Sequence, residues 1–286
     1  MKLSVNAKLS LSLMAAATIF IVTAERLKTV PRQSVQVEMQ VALPLFVQVF
    51  MVGGDRFLAA NISAIRALVV DNFKMKPEEF AILAKVQQDV SWLNPGHEDN
   101  YYVATAILPW RGEFEATQLI LARATKARPF DFQPAFHYAF NLLHFTGDAV
   151  GASAWLREAA EHLPEGDERL QMQNLAAIWM DKAQDVELAI RVIEAMAKQA
   201  KRRDFQRYLD MRVARLRALQ NLRKADATFR LRFGRTPNGL QELIDSGLIA
   251  ALPADPFGFG FDIDSQGRIV LRNSPPKKPK PMPQAK

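Results

Sequence analysis

Between Asn100 and Pro164 the sequence repeats itself, and this limits the possible folds more than any other feature of the chain. An offset of 35 residues pairs Ala104 with Ala139, Gly112 with Gly147, Leu121 with Leu156, Ala124 with Ala159 and Pro129 with Pro164. Small residues, a mid-unit glycine and a closing proline at that period describe a helix–turn–helix unit. Alanines let two helices approach closely, glycine permits the turn, and proline ends the second helix. An offset of 37 then pairs Ala139 with Ala176, Asp148 with Asp185, Ala152 with Ala189 and Leu156 with Ile193, which adds a third, degenerate unit. The spacing predicts helices over Asp99–Pro109 and Glu113–Lys126, Asp131–His144 and Asp148–His162, and Glu168–Asp181 and Asp185–Gln199. Three such pairs within 97–200 are about the minimum for a stable stack.

The segment before the repeats has two parts. Lys2 and Lys8 precede an uncharged run, Leu9–Val22, which is short for a spanning helix but matches the apolar core of a signal peptide. Val22-Thr23-Ala24 offers a small-residue cleavage site. With Thr23 and Ala24 included and Lys8 and Arg26 snorkelling, residues 1–30 also fit one uncleaved anchor, which is the preferred reading. Residues 31–96 are expected to form a helical cap. Within it, Gly53-Gly54 makes a turn into a helix capped by Asp55, and Phe57, Leu58, Ile62, Ile65, Leu68 and Val69 are its expected core face. Pro77, Glu78 and Glu79 open the next helix, and Asn94-Pro95-Gly96 closes it.

After the repeats, residues 201–233 read as one long helix. Phe205, Leu209, Val213, Leu216, Leu219, Leu222, Ala225 and Phe229 form its stripe. The formal charge of +7 is concentrated here, since 201–232 holds eleven Lys or Arg against three Asp. Residues 234–273 read as a short helix from Thr236 to Ser246, a proline-rich loop and a hairpin around Ser265-Gln266-Gly267. Residues 274–286, with five prolines and four lysines, read as an unfolded tail.

The repeat block resembles the tetratricopeptide repeat, with its aromatic and glycine signature partly kept. Residues 232–273, through Gly234-Arg235-Thr236-Pro237, Gly247-Leu248 and Leu252-Pro253-Ala254-Asp255-Pro256-Phe257-Gly258, resemble the C-terminal part of type II secretion pseudopilins. That likeness implies an extracytoplasmic module. It does not imply pilus polymerisation, because the N-terminus lacks the prepilin signature. Gly53–Asn61, Tyr101-Tyr102 through Pro109-Trp110, and Pro129–Gly147 are similar to a group of bacterial membrane-anchored proteins with tetratricopeptide-like repeats. Together these resemblances imply a mainly α fold: a tetratricopeptide-like array with an N-terminal membrane segment and a small C-terminal α+β hairpin module. They also imply a single-pass protein of the bacterial inner membrane with its bulk in the periplasm.

Chemistry is thinly marked. The chain has no cysteine, which removes disulfides and thiol chemistry. No G-x-S-x-G elbow, nucleotide-binding glycine loop or helical histidine pair occurs among His97, His137, His144 and His162. Asp262, Asp264, Gln266 and Gly267 imitate the start of a calcium loop, but Asn273 stands where a bidentate acid is needed, so a plain hairpin is expected. The expectation is therefore a non-enzymatic scaffold with no cofactor or metal. Its protein partner would meet first-helix residues Asn100, Tyr101, Tyr102, Phe132, His137 and Tyr138, whose rings give contact area at small entropic cost. The alternative is an anionic surface, nucleic acid or lipid, met by Lys201, Arg202, Arg203, Arg207, Arg212 and Arg215. The protein partner is preferred and nucleic acid is not expected.

Overall fold

The computed structural model describes residues 5–29, 39 and 41–274. The expected Pro/Lys tail after Ser274, the residues before Val5 and most of the linker after Thr29 lie outside the described residues. The chain is mainly α, with one two-stranded antiparallel sheet among the described residues. Helix α1 covers Val5–Thr29. Among the described residues no single helix is long and apolar enough to cross a membrane.

Helices α2 (Leu45–Met51), α3 (Arg56–Leu68) and α4 (Pro77–Leu93) follow. The turn at Gly53-Gly54 forms as expected, both glycines having positive φ, and Asp55 caps α3 by accepting from the N–H groups of Phe57 and Leu58 at 2.9 and 3.0 Å. The expected core face of α3 is a different matter. Ala59, Ala60, Ala64 and Ala67 are buried, while Phe57, Leu58, Ile62, Ile65, Leu68 and Val69 are exposed. Helix α3 packs on α4 through its alanines, with Ala59, Ala60 and Ala64 clustered against Val90 and Leu93, so the small side chains take the α4 side and the large ones are left outward.

Helices α5 (Glu98–Ile107), α6 (Phe114–Ala127), α7 (Gln133–Asn141), α8 (Ala149–His162), α9 (Asp167–Met180) and α10 (Val186–Gln199) begin and end within a few residues of the limits expected from the spacing. Gly112 and Gly147 both adopt the left-handed conformation, with φ of 89° and 71°, at equivalent turns. Asp148 and Asp185 are equivalent N-caps, accepting from Gly151 at 2.8 Å and Leu188 at 2.9 Å. The third pair departs from the first two. Helix α9 packs mainly on α8 and α10 on α11 (Arg203–Phe233), whereas α9 and α10 share little surface. Ala149, Ala152, Ala159, Ala160, Ala176 and Ala177 are all buried in this region, which permits the close approach of α8 and α9.

The C-terminal segment is not a free-standing module. Helix α12 (Gln241–Asp245) starts later than expected, since Glu242 is tied back to the Asn238 N–H and Arg235. Strands β1 (Phe261–Ile263) and β2 (Ile269–Leu271) pair with Phe261 opposite Leu271. Leu243, Phe261 and Ile269 join one core with Leu216, Leu219 and Phe229 of α11 and with alanines of α8–α10. Arginines of α11 bind main-chain carbonyls of the hairpin: Arg223 to Ile269 at 2.9 Å, Arg230 to Gly267, and Arg215 to Arg272.

Candidate functional site

The first helices of the three pairs carry a row of rings. Tyr102 on α5 meets His137 on α7 edge-on at 5.9 Å between centroids. His137 meets Phe136 at 5.6 Å, and Phe136 meets Trp179 on α9 at 6.3 Å. Tyr102, Phe136 and His137 are half-buried, and Tyr102 donates a hydrogen bond to Gln133. Phe136 and Trp179 join the row although their spacing did not single them out. The signal that finds them is an aromatic residue on each first helix.

The other expected groove residues divide between surface and core. Phe132 is half-buried and immediately precedes α7. Tyr138 is half-buried and stacks on Trp155 of α8 at 3.8 Å, so its ring is committed to the α7–α8 contact. Asn100 and Tyr101 are corrected to the core. The Asn100 amide donates to the Gln87 carbonyl at 3.0 Å, and Tyr101 is 1% exposed. The Tyr101 hydroxyl donates to Asp131 at 2.8 Å, and Asp131 also accepts from Arg128 Nε at 2.9 Å and the Gln133 N–H at 3.0 Å. Burial, then Tyr102 and Asp131, push the Tyr101 phenol far above its usual range, so it remains a donor. This cluster fixes the loop that leads into α7.

Burial holds the His137 imidazole below its ordinary 6.5, with Asp131 partly opposing. A base with a depressed folded pKa favours the neutral form, and its contribution to stability is complete above the unfolded value. That contribution is lost as pH falls from about 6.5 through the folded value. Denaturant midpoints measured from about pH 7.5 to about pH 5 should fall more steeply for the native chain than for His137→Gln. Equal slopes would remove His137 from the account.

The basic helix is also divided. Lys201, Arg202, Arg203 and Arg207 are exposed, although Lys201 pairs with Glu165 and Arg202 with Asp204. Arg212 and Arg215 are corrected from surface to interior, with 7% and 3% exposure. Arg212 pairs with Asp181, and Arg215 with Asp255 at 3.1 Å and Asp181 at 3.5 Å. Burial pushes the Asp181 carboxyl up, and the two guanidiniums oppose it. In the hairpin, Asp264 accepts from the Gln266 and Arg268 N–H groups at 2.9 Å, and Asp262 pairs with Arg272 at 3.0 Å. These carboxylates are thus directed at arginines and the turn backbone.

No family model, curated protein or solved structure matches the chain.

Proposed function

We propose that the chain is a non-enzymatic adaptor of the bacterial envelope, held at the inner membrane by its N-terminal segment with its bulk in the periplasm. The three helical pairs act as a tetratricopeptide-like array that takes up a segment of a partner protein, and the C-terminal segment serves secretion or pilus assembly. One observation supports this reading above the others: the row Tyr102, His137, Phe136 and Trp179 crosses α5, α7 and α9 without a break. Tyr102, His137 and Phe136 are half-buried and Trp179 is buried in the core behind them, so three rings offer contact area at little conformational cost and the fourth backs them.

The test places a photo-crosslinking amino acid at Tyr102 and at His137 in the native cell, with controls at Arg203 and Arg207. One recurrent protein captured from both row positions, and not from the controls, supports the array. Capture only from the controls, together with a steep loss of binding on adding salt, favours the anionic-surface reading instead. Once the partner is identified, Phe136→Ala should weaken its binding by at least about 30-fold, the scale of an anchoring residue. An unchanged affinity would sink the row as a binding surface.

A further inference from the structure

The first third of the chain turns large apolar side chains outward. On α3 the residues Phe57, Leu58, Ile62, Ile65 and Leu68, followed by Val69 at its C-terminal cap, occupy one side of the helix, with the buried alanines on the other. The outward side of α3 is therefore mostly apolar, with Arg56 and Asn61 the exposed polar residues, a composition that suits the boundary of an apolar medium. Helix α2 adds Phe46 at 75% exposure and Phe50 at 84%, beside the exposed Trp92 of α4, and Phe73 follows at 92%. A soluble monomer rarely exposes so many large apolar side chains on one short stretch of chain without a use for them.

We infer that the outward face of α2 and α3 lies in the interfacial layer of a lipid bilayer. Three observations select lipid as the occupant. First, α2 and α3 together have the length and composition of a membrane span, yet they are bent by 107°, which suits a pair lying in the interface rather than crossing. Second, Leu13, Met14, Ile19, Phe20, Ile21 and Val22, in the part of α1 whose side chains are described, are exposed, and one apolar medium serves both segments. Third, the eleven residues 30–40 between α1 and Val41 reach at most about 40 Å, so an anchored α1 keeps α2 and α3 beside the same membrane. This last step rests on the anchored reading proposed above. Residues 41–79 hold four basic and four acidic side chains, so the contact is driven by apolar burial and is insensitive to salt.

The absence of native cysteine allows a direct test on the full chain. Single variants Phe50→Cys, Phe73→Cys, Ile19→Cys and Lys198→Cys carry an environment-sensitive nitrobenzoxadiazole label and are reconstituted into phosphatidylcholine vesicles containing a shallow nitroxide-labelled lipid. The first three positions lie on exposed side chains, so the substitutions disturb the fold little. Labels at 50 and 73 should shift to the blue and be quenched by the nitroxide lipid at both low and high salt, while the label at 198 should not respond. Quenching at 19 without quenching at 50 and 73 overturns the inference and leaves the anchor standing. Quenching at 50 and 73 without quenching at 19 supports the inference and removes the anchor. A blue shift at 50 and 73 with no quenching means that α1 or a second copy covers the face, and this also overturns it.

Discussion

Replacing Arg215 by alanine should destabilise the folded chain by about 3–5 kcal/mol, the cost of leaving a buried ion pair without one partner. Arg215 is among the most enclosed charges in the protein, and the Asp255 side chain opposite it is only 2% exposed. The same guanidinium binds the Arg272 carbonyl and sits over the rings of Phe257 and Phe259. Lysine cannot reproduce that set, because an ammonium lacks the planar fork that reaches a carboxylate, a carbonyl and two rings together. Arg215→Lys should therefore recover little of the loss. Chemical denaturation gives the magnitude, and proteolysis of the native state should show the hairpin opening first. A loss below about 1 kcal/mol would mean that the pair behaves as a solvent-exposed one.

Truncating Tyr101 to alanine should cost about 3–5 kcal/mol, as large aromatic-to-alanine changes in a core do. The variant Tyr101→Phe separates two contributions. It keeps the ring and loses the bond to Asp131, for a cost of about 1–3 kcal/mol that includes the unpaired acceptor. Arg128 and the Gln133 N–H still hold Asp131, which favours the lower end of that range. Equal losses for the two variants would mean that the hydroxyl, and not the ring, supports the α5–α7 junction.

The elements that could be read from the sequence are those set by local chemistry. Gly112 and Gly147 mark equivalent left-handed turns, and Asp148 and Asp185 mark equivalent caps, so the helix limits from α5 to α10 follow from short-range rules. What packs on what followed only in part: α5 meets α6 and α7 meets α8 as expected, but the third pair does not close on itself. Helix α9 was expected beside α10 but closes on α8, a preference that belongs to the shape of two alanine faces rather than to any spacing. On α3, hydrophobicity gave the wrong side of the helix, because the alanine side and not the large apolar side packs against Val90 and Leu93 of α4. The basic run was similarly ambiguous. A stripe of arginines looks the same in sequence whether it faces water or, as with Arg212 and Arg215, closes on buried aspartates. In the candidate row, Tyr102 and His137 were found by residue type and helix position, while Trp179 needed the fold to bring α9 beside α7.

Three arginines of α11 hold the C-terminal hairpin by its backbone oxygens. A carbonyl is present whatever residue supplies it, so this attachment is blind to the identity of the side chains it holds. Residues on the hairpin's outward face are thereby released from any duty in docking. This part of the molecule can change its outward chemistry, by drift or by deliberate rewriting, without coming loose from the helix behind it.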